Sequence, residues 1–224
     1  MSLVIPARGQ VRASIILLHG LGADGKDLAP LAEALDLPEC RWVLPDAPVR
    51  PVRLNGLRPT RAWFDLAAIG DGMEVDGEGL EMSCRSLEAW IQTEEEQGID
   101  RGHILAGGFS QGGAVVLAWS RTARERLLGL IGLSTFLPAF QPASSQPTQS
   151  IFLAHGSLDS VVPLSLAENT RRWLHAAGHE VRWQVYPMAH EVSPREAADL
   201  REWLLSRLSA SMGSMSPGQF PANP

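Results

Sequence analysis

Short runs of apolar residues alternate with longer segments of helical period along most of the chain. The apolar runs predict strands at 13–18, 41–44, 103–107, 128–133, 150–154 and 181–186. The segments between them predict helices at 27–36, 79–97, 111–124, 164–177 and 195–208. Gly98 is the predicted C-cap of the second helix. Nearly continuous apolar strands joined by helices are typical of an α/β fold, with a mostly parallel sheet covered by helices on both faces.

Two segments depart from this alternation. Residues 45–79 are rich in Pro, Gly, Arg and Asp, which predicts a long ordered excursion over the sheet edge and a candidate substrate wall. The arginines in this segment are expected to be surface charges rather than anion ligands. Residues 209–224 carry no charge and no periodicity, which predicts a disordered tail after a single domain that spans residues 1–208.

Composition narrows the function classes. The 224 residues carry a formal net charge of −6, which gives no basic surface for nucleic acid or for an anionic membrane. No apolar run reaches the roughly 20 residues that span a bilayer, and no leader-like segment begins the chain, so we expect a cytoplasmic protein without stable membrane insertion. Cys40 and Cys84 are expected to be free thiols, although a single disulfide stays open at this point.

The most specific motif is the pentad GFSQG at 108–112, which lies between a predicted strand and a predicted helix. This is the context of a nucleophile elbow, where a serine occupies a strained turn and glycines on either side avoid collisions with the strand and the helix. The motif predicts Ser110 as a nucleophile. The alternative is that Ser110 merely caps the helix that follows.

A serine nucleophile needs a base and an acid that orients the base, in the chain order Ser, Asp or Glu, His. The acids between Ser110 and the last histidine are Glu125, Asp159, Glu168 and Glu180. Asp159 follows a predicted strand and so lies at its carboxyl end, where ligands gather in parallel sheets. The glutamates instead fall within predicted helices or just before a strand.

The base must follow Asp159 in the chain. Three histidines do so, His175, His179 and His190. The first two are expected to be solvated surface residues on or just after a helix, whereas His190 follows a predicted strand. The sequence therefore predicts Ser110, His190 and Asp159 as a catalytic triad.

Acyl chemistry also needs hydrogen-bond donors for the developing oxyanion. The N–H of Gln111, directly after the nucleophile, is one predicted donor. The N–H of Leu21 is the other, since the sequence HGLG at 19–22 follows an early apolar strand. No zinc-binding spacing occurs, and His19 and His155 each precede a glycine at a strand end, which favours a structural turn. We therefore expect no metal and no cofactor.

Seven elements of the chain resemble the phospholipase/carboxylesterase family of α/β hydrolases, which includes small carboxylesterases and acyl-protein thioesterases. They are LHGLGAD at 18–24, LPDAP at 44–48, NG at 55–56, AWFD at 62–65, GGFSQGG at 107–113, HGSLD with VVP at 155–163 and MAH at 188–190. The resemblance spans about 11–208. It implies an α/β-hydrolase fold without a cap domain, the same triad and oxyanion donors, a possible homodimer, and an acyl pocket lined by Trp63. Without a cap domain, we expect the acyl site to be an open groove walled by the 45–79 segment around Trp63 and Phe64, together with Leu21.

The sequence thus predicts a serine hydrolase that cleaves carboxylic esters and thioesters of short to medium acyl chains through an acyl-serine intermediate. Glu191, directly after the predicted base, is similar to the bacterial carboxylesterase branch. An acyl-protein thioesterase and a lysophospholipase are alternatives with the same triad. A catalytically inactive binding module on the same fold is the alternative from a different class.

Overall fold

The computed structural model describes residues 2–69, 72–138 and 146–212. Its strands are β1 (Ser2–Ile5), β2 (Ala13–Leu18), β3 (Cys40–Pro45), β4 (Val49–Val52), β5 (Arg58–Arg61), β6 (Leu66–Ile69), β7 (Gly72–Val75), β8 (Ile104–Phe109), β9 (Gly129–Leu133), β10 (Ser150–Gly156) and β11 (Glu180–Tyr186). Its α-helices are α1 (Ala29–Leu35), α2 (Gly77–Glu96), α3 (Gln111–Trp119), α4 (Leu164–Ala176) and α5 (Pro194–Met212).

A seven-stranded sheet in the order β1-β3-β2-β8-β9-β10-β11 confirms the predicted α/β fold. Six strands of this sheet run parallel, namely β3, β2, β8, β9, β10 and β11. The edge strand β1 pairs antiparallel with β3. The carboxyl ends of β8, β10 and β11 therefore lie at the same edge of the sheet. These three ends precede Ser110, Asp159 and His190.

Two apolar layers cover the sheet because successive side chains of a strand point to opposite faces. On β2, Ile16 and Leu18 belong to the layer that includes α2, α3 and α4, while Ile15 and Leu17 belong to the layer that includes α1 and α5. The free cysteines lie in different layers, with Cys40 in the second and Cys84 packed against the first. Both thiols are unpaired with each other, as predicted.

The excursion predicted at 45–79 consists of two antiparallel hairpins, β4 with β5 and β6 with β7. Gly56, at φ 65°, turns the first hairpin. The Arg53 guanidinium lies 2.6 Å from Asp65 and 3.2 Å from Glu74, and so it ties the two hairpins together. Arg53 is exposed and its partners are carboxylates of the same segment, which agrees with its interpretation as a surface charge rather than an anion ligand.

One strand and the ends of two helices show the clearest differences from the prediction. The edge strand β1 was missed, since an apolar run of only three residues, Leu3 to Ile5, is too short to indicate a strand. Helix α3 ends at Trp119 rather than 124, where the hydroxyls of Ser120 and Thr122 bond back to the carbonyls of Leu117 and Trp119. Helix α5 runs to Met212, so the predicted tail begins too early at 209, and its remainder at 213–224 lies outside the described residues.

A helix that spans a bilayer must be both long and apolar. None of the helices in residues 2–69, 72–138 and 146–212 meets both conditions.

Candidate active site

Ser110 occupies a strained turn between β8 and α3. Its backbone lies at φ 52° and ψ −118°, a region that residues with a Cβ adopt at a cost of about 1–3 kcal/mol. Its side chain makes no capping hydrogen bond to α3. The simple helix-cap alternative therefore does not describe this serine, whose hydroxyl is directed to another partner.

The glycines beside Ser110 are required by close backbone contacts. A Cβ on Gly108 would lie 2.2 Å from the carbonyl carbon of Gly112. A Cβ on Gly112 would lie 2.2 Å from the carbonyl oxygen of Leu18 on β2. Both distances are well below van der Waals contact, which confirms the collision predicted from the pentad.

A chain of two hydrogen bonds links Ser110 to a buried carboxylate. The Ser110 Oγ lies 2.9 Å from His190 Nε2, and His190 Nδ1 lies 2.7 Å from Asp159 Oδ2. An ionised carboxylate can only accept, so Nδ1 carries the proton and Nε2 is left to accept from the serine hydroxyl. The ring of Phe109 packs 4.8 Å from the imidazole of His190 and limits its rotation.

The loop after β10 holds the carboxylate of Asp159 in place. Its Oδ1 accepts hydrogen bonds from the N–H groups of Val161 (2.9 Å) and Val162 (2.8 Å). These bonds leave Oδ2 for His190. With no solvent exposure of its side chain, Asp159 depends on these three donors for its hydrogen bonds.

A second histidine braces the same loop. His155 Nε2 lies 2.8 Å from the Val162 carbonyl oxygen and 3.4 Å from Asp159 Oδ2. Because burial lowers the pKa of His155, the ring is neutral and its one proton is best placed on Nε2 for the carbonyl. His155 therefore acts in the structural turn that its position before Gly156 predicted.

The loop after β2 brings the backbone of Leu21 to the serine. A Cβ on Gly20 would lie 3.5 Å from the Ser110 Cβ, so the loop runs directly beside the elbow. The N–H of Gly22 donates to Arg61 O (2.8 Å), and that of Ala23 bonds to Gly20 O (3.3 Å). The Leu21 N–H, which directly precedes them, has no such acceptor among the described residues, and it remains available to a ligand.

His19 fixes the conformation of this loop from within the core. Its Nδ1 lies 2.7 Å from the Gly20 carbonyl oxygen, and its Nε2 accepts from the Ala47 N–H at 3.0 Å. These partners define a neutral ring with its proton on Nδ1. Burial lowers the pKa of His19 and so favours the same neutral form.

Trp63 and Phe64 lie beneath the site rather than in its wall, which corrects the prediction from the resemblance. Both side chains are fully buried, and neither lines the cavity beside Ser110. The Trp63 indole N–H donates to His19 O (2.8 Å), because a buried N–H needs an acceptor. The Gln111 side chain accepts from the Trp63 N–H (2.9 Å) and donates to Phe64 O (2.8 Å).

Gln111 therefore has two functions in the structure. Its side chain fastens the excursion to α3 through these two bonds. Its backbone N–H belongs to the first turn of α3, where N–H groups have no partner within the helix. The predicted oxyanion donors Leu21 and Gln111 thus both lie next to Ser110 in the sequence or in space.

A cavity of about 990 Å³ opens over the hydroxyl of Ser110, and its lining falls into two groups. The hairpin lobe is the part lined from the excursion and the α4 side, by Leu54, Leu66, Met73, Phe136 and Leu166. The α1/α5 lobe is the part lined on the other sheet face, by Leu28, Leu31, Ala34, Val192 and Ala197. Ser110 and His190 line the same cavity. The excursion thus contributes to the wall, as predicted, but through different residues.

The remaining candidates for the acid and the base of the triad do not line the cavity. Glu125, Glu168 and Glu180 are exposed, which agrees with the elimination that selected Asp159. His175 is exposed, as predicted, but His179 is buried, and its Nδ1 accepts from the Gln149 N–H at 3.1 Å. The prediction that His179 is a surface residue was therefore wrong, because a histidine after a glycine in a polar turn carries no signal of burial.

Sequence reasoning missed one further supporting residue. The Thr135 hydroxyl donates to the Ser110 carbonyl oxygen at 2.6 Å, and it lies after β9 in a turn where Ser134 has φ 46°. Thr135 thereby secures the strained turn from the neighbouring strand. A polar Ser-Thr pair after an apolar strand is too common to have indicated this contact.

The fold and this serine-centred arrangement place the chain in the α/β-hydrolase class. A sequence model described as phospholipase/carboxylesterase matches residues 1–207. An acyl-protein thioesterase 1 from Gibberella zeae is 31% identical over 223 residues, which cover 92% of this chain and 95% of the relative. One from Cryptococcus neoformans is 32% identical over 88% of this chain and 92% of the relative.

Solved structures agree. Acyl-protein thioesterase 2 from Zea mays superposes with a TM-score of 0.80 and 29% identity, over 93% of this chain and 99% of that one. A Bacillus cereus carboxylesterase gives a TM-score of 0.77 at 21% identity, over 92% of this chain and 93% of that one, which supports the fold alone. The chain belongs to the phospholipase/carboxylesterase family, and it is an enzyme that hydrolyses carboxylic ester bonds.

Proposed function

We propose that Ser110 is the nucleophile of this hydrolase, His190 its general base and acid, and Asp159 the group that orients His190. The observation that carries the proposal is the hydrogen-bonded series from Ser110 Oγ to His190 Nε2 (2.9 Å) and from His190 Nδ1 to Asp159 Oδ2 (2.7 Å). The strained backbone of Ser110 supports it, since strain of this kind gathers at reactive positions.

In the acylation step, Ser110 Oγ attacks the carbonyl carbon while its proton passes to His190 Nε2. The carbonyl oxygen becomes an oxyanion that accepts from the N–H groups of Leu21 and Gln111, each worth roughly 2.7–4 kcal/mol in such sites. When the tetrahedral intermediate collapses, the bond to the leaving oxygen or sulfur breaks. His190 Nε2 then gives its proton to that atom, and an acyl-Ser110 ester remains.

Deacylation repeats these steps with water. Water attacks the acyl carbon, its proton passes to His190 Nε2, and Ser110 Oγ departs with that proton as the carboxylic acid is released. Asp159 stabilises the imidazolium that forms in each half-reaction. The cycle balances with side chains, backbone and water, and it uses no cofactor or metal.

The substrates that we propose are oxyesters and thioesters of short to medium acyl chains. The cavity is lined mainly by apolar side chains, and the hairpin lobe offers Leu54, Leu66 and Met73 to an acyl chain. Both linkages should react, because the oxyanion donors contact the carbonyl oxygen rather than the leaving atom. The names of the relatives favour a second candidate, an acyl-protein thioesterase.

An acyl-length series on matched oxyesters and thioesters separates the two candidates. We expect kcat/KM to rise over short to medium chains by at most about fourfold per methylene, from ~0.8 kcal/mol each, and then to level off. Both linkages should follow this course. Strong activity on long-chain thioesters with oxyesters untouched would contradict the carboxylesterase proposal and favour the thioesterase.

A cytoplasmic location and a homodimer complete the proposal. The unpaired thiols of Cys40 and Cys84 support a reducing compartment. The homodimer rests on the family resemblance. Size-exclusion chromatography with light scattering checks it: we expect twice the mass of the chain, and a monomer at micromolar concentration would overturn it.

A further inference from the structure

We propose that the α1/α5 lobe is the leaving-group subsite and that it selects neutral, apolar alcohols and thiols. This inference rests on the proposed roles of Ser110 and His190, and it assigns the two lobes to the two sides of the scissile bond. The acyl chain then occupies the hairpin lobe.

The position of His190 decides which lobe takes which group. Its Nε2 must reach both Ser110 Oγ, 2.9 Å away, and the leaving atom that it protonates, so the leaving group lies on the imidazole side of the serine. The chain directly after His190 forms the wall of the α1/α5 lobe through Val192 and Ala197. Phe109, against which the imidazole packs, belongs to the same apolar layer as Leu31 and Val192.

The chemistry of this lobe favours an uncharged leaving group. Its walls are the aliphatic side chains of α1, α5 and the segments before them, and Asp27 is the ionisable residue at its rim. No lysine or arginine occurs among the described residues that line the cavity. A phosphate-bearing alcohol would therefore lose its hydration against an apolar wall and meet an exposed carboxylate.

The depth of the lobe limits its selectivity. Leu31 and Ala197 are half-buried, whereas Ala34 is exposed, so an alcohol chain leaves the wall and enters solvent as it passes Ala34. We expect kcat/KM to rise up to about fourfold for each methylene of the alcohol that contacts the lobe, and then to level off.

The test is kcat/KM for hexanoate esters of ethanol, butanol and hexanol, beside ethyl esters of acetate, butyrate and hexanoate. The alcohols have nearly the same pKa, so differences report contact rather than leaving-group chemistry, and kcat/KM includes the step in which the alcohol departs. Leu31→Ser probes the α1/α5 lobe, and Met73→Ser is its matched control in the hairpin lobe. Both side chains are half-buried, which favours folding of the variants.

Leu31→Ser should flatten the alcohol series and leave the acyl series unchanged, and Met73→Ser should do the reverse. The exchanged pattern would overturn the assignment, as would an alcohol series that is flat in the unmodified enzyme. Ala197→Phe, which fills the lobe, should lower the rate on the hexyl ester more than on the ethyl ester, and equal rates would also overturn it. Activity retained by Ser110→Ala would instead contradict the proposed function.

The hexanoate ester of glycerol 3-phosphate tests a negatively charged leaving group. We expect its kcat/KM to fall at least tenfold below that of the hexanoate ester of glycerol. Equal or faster hydrolysis of the phosphate ester would overturn the selection for neutral leaving groups and support a lysophospholipase.

Discussion

The turn that carries Ser110 and the hairpins from Val49 to Val75 border the same cavity, yet the chain specifies them differently. At the turn, backbone approaches such as that of Gly112 to Leu18 leave no room for a Cβ. In the excursion, Arg53 pairs with Asp65 and Glu74 at the surface and joins the two hairpins, while Trp63 and Phe64 between the hairpins are buried in the core. The proposed nucleophile thus lies where close backbone packing restricts the conformation, whereas the cavity residues Leu54 and Met73 are exposed or half-buried, where substitutions cost less.

Ser110→Ala is expected to have the largest effect, and it tests the turn that carries the proposed nucleophile. Ser110→Ala should lower kcat/KM on an activated ester by about four to six orders of magnitude, because the oxyanion donors and the cavity cannot replace the nucleophile. Thermal unfolding should change little, since the hydroxyl makes no cap. Met73→Ala in the hairpins should stay within tenfold of the unmodified enzyme. A comparable loss in both variants would end the distinction between the regions.

Gly112→Ala should be the most damaging change that leaves every ionisable group in place. Its methyl group would lie 2.2 Å from the Leu18 carbonyl oxygen, and relief of this contact displaces α3 together with the Gln111 N–H. We expect a loss of at least about 2–3 kcal/mol of unfolding free energy. Gly77→Ala is the control, because nothing lies within 4 Å of its Cβ position. Equal melting temperatures for the two variants would contradict the account.

These contrasts also explain how far the sequence predicted the structure. The six parallel strands, the five helices and the order of Ser110, Asp159 and His190 follow from hydrophobic period and motif position. The placement of Trp63 was wrong because a motif shows that an aromatic ring is near the site, but not whether it faces the cavity or the core. The hairpins were missed because Pro, Gly and Arg conceal the alternation of a strand.

The buried carboxyl of Glu196 tests whether the α1/α5 side also keeps a fixed structure. Burial raises the pKa of Glu196 to about 8, and both of its oxygens lack partners among the described residues. Between the ordinary pKa of a glutamate and about 8, Glu196 thus keeps its proton in the folded state and loses it in the unfolded state. This contribution to stability is fully present below the ordinary pKa, falls by up to about 1.4 kcal/mol per pH unit as the pH rises from there towards 8, and levels off above about 8.

Urea titrations between pH 5 and 8 check this prediction. Glu196→Gln keeps the shape without the ionisation, so its unfolding free energy should vary less with pH than that of the unmodified enzyme, and it should become the more stable of the two at pH 8. Parallel curves would show that this part of α5 opens to water.

The smallest effect separates support from substrate contact at Trp63. Trp63→Phe removes the indole N–H that donates to His19 O (2.8 Å), which should cost about 1–2 kcal/mol and loosen the loop that bears Leu21. We expect kcat to fall by no more than about tenfold, and by the same factor for acetate esters as for hexanoate esters. A loss of kcat on the hexanoate ester alone would contradict this account and indicate that Trp63 contacts the acyl chain. Met73→Ala supplies the chain-dependent control.

The most direct test of the central claim is the site of covalent modification by a fluorophosphonate. Incubation should add one phosphonyl group to the intact protein, and peptide mapping should find it on Ser110, since the hydroxyl hydrogen-bonded to His190 Nε2 at 2.9 Å is the one activated for attack. Ser110→Ala should remain unlabelled, and Asp159→Asn should label far more slowly. A modified residue other than Ser110, or equal labelling of the Ser110→Ala variant, would contradict the account.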